Sequence, residues 1–366
     1  MQPHLILRIH TDTRLGLGHV ARALVIQAQW RALGGLATLA VSGDERARRL
    51  GQGRHPFLDQ ALDCPVVDLG EDLHGALPQE LKVQAHLVLV DQWDTTPEQI
   101  QALRPLKVAI MEDDGDAHES ADLLFQPFLE GSSWPSAPLK SVGGRKTRPC
   151  ETQHGGCRVL RGSEYVVVSP EALGRRPKRE VLQPLSVRKL LVTFGGSDGA
   201  DLAGRAFQIL QRLVTEQRWM GSCTILAPRG IQEPPFRGCT VMSGLPGLTH
   251  RLQEFDAIWA AAGVTLNEAL CMGVPVAAWG QNDRQHQILS DLAMNNGCLD
   301  LGVGPQENLE ATFHSLDQWL GPEGQDSRQE QSRDGMGLID GLGAARVVQE
   351  LWNLTKPTLD DVKYPR

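Results

Sequence analysis

The strongest constraint on the fold is a rhythm along the chain. Short, nearly uncharged apolar runs alternate with segments of helical periodicity, and almost every run closes on Gly or a polar residue. Residues 5–9 form the first run; after Leu15-Gly16-Leu17-Gly18 comes a segment from about 19 to 33 in which Val20, Ala23, Leu24, Ala28 and Leu33 recur at near-helical spacing. Further runs lie at 36–41, 65–69, 87–90, 107–111 and 123–125, the fourth closing at Asp91 and the fifth at Glu112-Asp113-Asp114. Runs without in–out alternation suit a parallel sheet buried on both faces. In such sheets, ligands sit at the carboxyl ends of the strands.

The same rhythm restarts at residue 189, with a run over 189–194, the turn Gly195-Gly196-Ser197-Asp198 and a helix over 202–214. Strands are expected at 223–226, 240–242, 257–259, 274–278 and 298–301, helices near 247–254, 265–272 and 284–294, and a last helix at 344–354. Residues 130–160 are Gly- and Ser-rich and read as a long loop or insertion, 165–168 as one more strand, 171–186 as a polar linker and 320–337 as a surface loop. A chain of 366 residues with two such blocks predicts two α/β domains, 1–180 and 187–345, with 346–366 as a C-terminal helix and tail.

Composition excludes several classes. An apolar fraction of 41% and a charged fraction of 22% belong to a globular chain. A formal net charge of −8 argues against a general nucleic-acid partner, though not against binding one phosphate group at a helix start. No stretch of 18 uncharged apolar residues occurs, so no stable membrane insertion is expected. The seven Cys form no C-x-x-C pair, and an odd number without a signal-peptide pattern points to the cytoplasm.

Three segments carry candidate chemistry. In Gly16-Leu17-Gly18-His19 the glycines admit close backbone approach, and a His opening the helix is either a general base or acid or an imidazole bonded to backbone. Gly195-Gly196-Ser197-Asp198 repeats the geometry: Ser197 or Asp198 can cap the helix that follows, while the Gly pair leaves amides open to a diphosphate. In Gly263-Val264-Thr265-Leu266-Asn267-Glu268, Gly263 allows approach, Thr265 offers a hydroxyl, and Glu268 either accepts ribose hydroxyls or complements the helix dipole. The polar loop 281–285 follows the next strand. Acids at 91, 113 and 114 suggest a metal only weakly, since no His or Cys stands at ligand spacing, so no metal or other cofactor is expected.

Taken in order, these motifs resemble the UDP-sugar hydrolases of the pseudaminic acid pathway, relatives of the lipid II-forming glycosyltransferases. His19 lies eleven residues after Arg8, as in the family's R-x-D-x(5)-G-x-G-H opening; Asp91-Gln92-Trp93 resembles its D-x-Y, and Asp113-Asp114, Asp122-Leu123, Gly162-Ser163-Glu164-Tyr165 and Phe194 to Asp198 also correspond. Gly263, Thr265 and Glu268 match the hydrolases' G-x-T-x-x-E. Departures fall on the sugar side: His10 stands for Asp, Trp93 for Tyr and Ser169 for Arg; Arg284 takes the Asn position of an Asn-Gln pair, so that Asp283-Arg284-Gln285 looks like the D-x-Q-Q loop of the transferase.

The resemblance implies a GT-B-like α/β fold, two Rossmann-like domains facing across a cleft. It implies a UDP-sugar substrate, with Glu268 on ribose, Gly195, Gly196, Ser197, Gly263 and Thr265 at the diphosphate, and the loop from Met242 to Leu245 at uracil. Gly16, Gly18, Trp93, Arg284 and Gln285 would line the sugar, and His19 with Asp91 would deprotonate the attacking hydroxyl. Three functions follow: hydrolysis of a UDP-linked modified amino sugar for a nonulosonic-acid-type surface glycan, glycosyl transfer from the same donor, or nucleotide-sugar binding without catalysis. Oligomeric state is not legible.

Overall fold

The computed structural model describes residues 2–12, 17–54, 61–73, 75–113, 116–128, 150–154, 156–306 and 308–356. Contacts divide these into two units: residues 2–127, 150–167 and 342–356 make the first, 128 and 168–341 the second. The sequence rhythm placed the boundary near 180, inside what groups with the second unit.

In the first unit eight strands form one sheet: β1 (His4–Thr11), β2 (Leu36–Gly43), β3 (Val66–Asp68), β4 (Leu87–Asp91), β5 (Lys107–Met111), β6 (Leu123–Gln126), β7 (Cys150–His154) and β8 (Cys157–Arg161). Their order is β3-β2-β1-β4-β5-β6-β8-β7, parallel throughout except for β7. All eight residues of β1 and all five of β4 are buried, as a sheet covered on both faces demands. Helix α1 (Gly18–Ala32) connects β1 to β2, with α2 (Glu45–Gly51), α3 (Gln79–Gln84) and α4 (Pro97–Leu103) completing the crossovers.

The second unit begins with α5 (Pro170–Arg175) and holds six parallel strands: β9 (Lys189–Thr193), β10 (Ser222–Leu226), β11 (Cys239–Met242), β12 (Ala257–Ala261), β13 (Val276–Gly280) and β14 (Leu299–Val303). Their order is β11-β10-β9-β12-β13-β14. The helices are α6 (Leu202–Thr215), α7 (Leu248–Arg251), α8 (Val264–Cys271), α9 (Asp283–Met294), α10 (Leu309–Leu320) and α11 (Gln325–Leu338). Phe194, Trp259 and Trp279 pack together in its core, Phe194 stacked on Trp279 and edge-on to Trp259.

After Gly341 the chain returns to the first unit as α12 (Gly343–Leu354). Ala344, Val347, Val348 and Leu351 enter that unit's core, and Trp352 packs on Trp30 with ring centroids 4.9 Å apart. Gly343 is required at the entry, because a Cβ there would lie 2.0 Å from the Val166 carbonyl oxygen.

Four sequence expectations need correction. Residues 320–337 are mostly the helix α11, not a loop: its buried Arg328 donates to the carbonyls of Gly321 (3.0 Å), Pro184 (2.8 Å) and Leu185 (2.9 Å) and to that of Trp319, and this tertiary capping outweighs poor local propensity. Residues 165–168 pair with no strand and follow a short 3₁₀ turn, Ser163–Tyr165. The supposed insertion includes the hairpin β7–β8, although 129–149 fall outside the described residues. The supposed linker opens with α5, capped by Ser169 through the Ala172 amide at 3.3 Å.

Candidate active site

Both sheets contain a core of six strands in the order 3-2-1-4-5-6, whose direction of winding reverses between the first and fourth strands. In α/β sheets the crevice that takes ligands is the one at the carboxyl ends beside such a reversal. In the first unit it lies between β1 and β4, in the second between β9 and β12. Among the described residues, those singled out by sequence lie at or after the carboxyl ends of strands β1, β4, β5, β9, β11, β12 and β13.

In the first unit, Leu17 precedes α1 without a side-chain cap, and no acid occupies the helix's first turn. Gly18 is exposed there; Gly16 lies outside the described residues. His19 turns inward and is 6% exposed, with Nδ1 2.5 Å from Oδ1 of Asp91, the last residue of β4. Asp91 is 1% exposed and also receives a two-pronged contact from Arg22, three residues beyond His19 on the same helical face: Nε to Oδ2 at 2.8 Å and Nη2 to Oδ1 at 2.6 Å. The remaining guanidinium nitrogen of Arg22 meets Glu112 Oε1 at 2.5 Å, just past β5, where Glu112 takes a left-handed backbone with φ 51°. Trp93 stands edge-on to the imidazole with centroids 6.0 Å apart.

The electrostatics follow from this chain of contacts. Burial alone would raise the Asp91 carboxyl, but the charges and hydrogen bonds of Arg22 and His19 outweigh it and hold the group far below the usual carboxylate range. Burial would likewise weaken Arg22, yet Asp91 and Glu112 keep it above the ordinary guanidinium value. An ionised Asp91 only accepts, so Nδ1 of His19 carries the proton toward it, and in the neutral ring Nε2 is then the nitrogen with the lone pair. With a neutral ring, one cation and two carboxylates leave a single negative charge, which a proton on Nε2 would cancel.

The rest of that edge is scaffolding. Arg8 is buried, pulled down to about 10 by desolvation against the opposing charge of Asp72, and donates to the Leu73 and Gly75 carbonyls at 2.9 and 2.7 Å and to the Gln92 side chain. His10, where the resembling family has Asp, places Nδ1 2.9 Å from Ser42 Oγ. Asp113 accepts the Thr95 amide at 3.0 Å and its hydroxyl, fixing the turn before α4 rather than joining Asp91; Asp114 lies outside the described residues. Among the described residues no group of three or more His, Cys, Asp or Glu is arranged to hold a metal ion.

The second crevice is built differently. After β9, Gly195 adopts φ +87°, and Gly195 and Gly196 are exposed. Asp198 is buried and accepts the Leu202 and Ala203 amides at 2.9 and 3.0 Å, so of the two capping alternatives it is Asp198 that closes α6. Burial raises its carboxyl against the opposing pull of those two amides. These amides of α6 are therefore taken, which leaves backbone donors to Gly195, Gly196 and Ser197.

After β12, Gly263 opens α8 with no side-chain cap and no acid in the first turn, and a Cβ at Gly263 would meet nothing within 4 Å. The start of α8 thus offers unfilled amides beside half-buried Thr265. Glu268, 5% exposed, accepts from Thr249 Oγ1 at 2.8 Å and from Ser169; burial raises it above the normal carboxyl value while these bonds lower it. Gln285 caps its own loop, its Oε1 accepting the Gln281 amide at 3.0 Å, and Gln281 Nε2 donates to the Phe194 carbonyl at 2.7 Å. Leu245 follows β11 and is nearly buried, and Arg284 lies half-buried in the first turn of α9.

Sequence reasoning missed Arg22 and the role of Glu112. The signal was available: Arg22 falls one helical turn from His19, and a charged residue on the face that a helix turns toward its sheet requires a partner.

Two parallel-sheet, Rossmann-like domains in one chain define the GT-B class of fold. Solved structures of this kind match nearly the whole chain. MurG from Acinetobacter baumannii aligns with a TM-score of 0.61 at 12% identity, over 96% of this chain and 99% of that one. The spinosyn forosaminyltransferase SpnP gives 0.59 at 15% identity, over 97% and 100%. A UDP-N-acetylglucosamine 2-epimerase gives 0.55 at 13%, over 96% of each. In sequence, the spore coat polysaccharide biosynthesis protein SpsG of Bacillus subtilis (strain 168) is 24% identical over 209 residues, 55% of this chain and 60% of its own length. An uncharacterized protein of Methanocaldococcus jannaschii is 24% identical over 143 residues, 36% of this chain and 28% of its own length. The chain therefore spans less than two thirds of either relative. No family model matches it.

Proposed function

We propose that the chain is an enzyme of polysaccharide biosynthesis that hydrolyses a UDP-linked amino sugar at the anomeric carbon, releasing UDP and the free sugar. The observation that carries this is the buried His19–Asp91 pair at the first crevice, with Nδ1 tied down and Nε2 left as a base. Water attacks C1 and gives a proton to Nε2; the C1–O bond breaks and its electron pair leaves with the diphosphate. Base assistance of this kind contributes roughly 10²–10⁴-fold.

The nucleotide belongs to the second unit in this reading. Backbone amides at Gly195, Gly196 and the start of α8, with the Ser197 and Thr265 hydroxyls, take the diphosphate, and its developing charge is met by amides rather than side-chain cations. Glu268 accepts from ribose, and the loop from Met242 to Leu245 flanks the base. SpsG, by its name a spore coat polysaccharide protein, supports the pathway class. Among the described residues no helix is long and apolar enough to cross a membrane, and the six described cysteines are free thiols. We place the reaction in the cytoplasm, where free thiols persist.

A second reading, glycosyl transfer from the same donor, is favoured by the order Asp283-Arg284-Gln285 and by the likeness to SpnP, by its name a forosaminyltransferase. The two separate in one assay. UDP-linked amino sugars incubated without an acceptor release UDP at catalytic rates if water is the acceptor; release that appears only on adding an acceptor glycan establishes transfer instead.

A further inference from the structure

We infer that Arg22 is a positioning residue for the proton-accepting imidazole: its guanidinium fork fixes the orientation and the charge of Asp91, and through Asp91 the ring of His19. The inference rests on the reading of His19 as a base and goes beyond it, because Arg22 need touch no substrate.

Three observations carry it. First, both Asp91 oxygens are engaged by Arg22, at 2.8 and 2.6 Å, and one of them is shared with His19 Nδ1 at 2.5 Å, so the carboxylate cannot rotate without breaking contacts to both partners. Second, the far side of the guanidinium is held by Glu112 at 2.5 Å, so α1, β4 and the segment after β5 fix the fork from three directions. Third, Arg22 Nη2 lies 3.3 Å from His19 Nδ1, close enough for its charge to act directly on the imidazole. The charged groups that face the ring among the described residues are thus Asp91 from β4 and Arg22 from its own helix, with Glu112 behind Arg22 and the Trp93 edge beside the ring.

The sign is fixed by this geometry. Arg22 disfavours a second positive charge next to it and spreads the charge of Asp91 over two partners. Without Arg22, the Asp91 charge acts on His19 undivided and favours the imidazolium over the neutral ring. Arg22→Lys keeps the charge and loses the fork.

The test is an NMR titration of the His19 imidazole in wild type, Arg22→Gln and Arg22→Lys, alongside kcat, KM and UDP binding. Arg22→Gln is expected to move the His19 midpoint up by about one pH unit and shift the acidic limb of the kcat profile with it. Its kcat at neutral pH falls about tenfold or more, with UDP affinity within about twofold. Arg22→Lys is expected to return the midpoint close to wild type while kcat recovers only in part. A folded Arg22→Gln whose imidazole titrates as in wild type overturns the inference, as does a loss of UDP affinity that matches the loss of kcat. Should Arg22→Gln fail to fold, Arg22→Lys decides alone: a tautomer signature at His19 unchanged from wild type, with full kcat, overturns it. If no UDP-sugar is turned over by the wild type, the catalytic reading fails, and the imidazole titration still reports whether Arg22 governs His19.

Discussion

The two units share a strand order and differ in what fills the point where it reverses. In the first, His19, Asp91, Arg22 and Glu112 crowd the ends of β4 and β5 with charge, and in that order each is bonded to the next. In the second, the ends of β9 and β12 carry Gly195, Gly196 and Gly263; of the nearest carboxylates, both buried, Asp198 accepts the first amides of α6 and Glu268 accepts the Thr249 hydroxyl with one oxygen. One topology therefore carries a buried chain of charged side chains in one unit and exposed glycines at the strand ends of the other; the proposed function assigns the proton to the first and the anion to the second. Side chains supply chemistry in the first; their absence supplies access in the second.

The comparison can be broken at specific residues. The largest effect is expected at Asp91. Asp91→Asn leaves Arg22 with Glu112 as its remaining anion and is expected to cost about 3 kcal/mol in denaturant unfolding near neutral pH, as breaking a buried pair does, together with a loss of turnover of roughly a hundredfold or more. The pH dependence has a definite sign. A carboxyl held low in the folded state stabilises above its unfolded value near 4, and that contribution drains away as pH falls below it. The stability gap between wild type and Asp91→Asn should therefore narrow below about pH 4; a constant gap would mean that Asp91 is not ionised in the fold.

Gly263→Val sharpens the contrast from the other side. Its Cβ enters open space at φ −157°, which any residue adopts, so unfolding should change by no more than about 0.5 kcal/mol. A bulkier side chain at an anion site should nevertheless weaken UDP binding about tenfold or more, roughly 1.4 kcal/mol, by calorimetry. Unchanged affinity would remove the start of α8 from the nucleotide site. The smallest effect is expected at Asp198→Ala, which frees the Leu202 and Ala203 amides and should cost about 1 kcal/mol of stability with UDP affinity within about twofold. A large loss of affinity would make Asp198 a binding residue rather than a cap.

Much of this was legible in sequence for a physical reason. Central parallel strands are buried on both faces, so β4, β9 and β12 stand out as apolar runs and β1 as one broken at Arg8, and the Gly-rich or acidic residues that follow them mark the crevices. His19, Asp91, Gly195, Gly263 and Glu268 could be located on strand ends and helix starts for that reason. What stayed hidden depends on tertiary partners. Helix α11 is polar and Gly-containing, and it is held by Arg328 gathering carbonyls from two other segments. The return of α12 to the first unit depends on Gly343 passing the Val166 carbonyl, a contact that no periodicity encodes. The choice of Asp198 over Ser197 as the cap of α6 required backbone angles, φ 40° at Asp198 and 53° at Asp201, that two adjacent polar residues do not announce.

The division of labour between the crevices is tested most directly by His19→Ala, with UDP release and UDP affinity measured on the same folded preparation. The account predicts that release falls by about 10³-fold while the UDP dissociation constant stays within about twofold of wild type. Release that persists, or affinity that collapses in step with it, would contradict the assignment of the proton to the first unit and the nucleotide to the second.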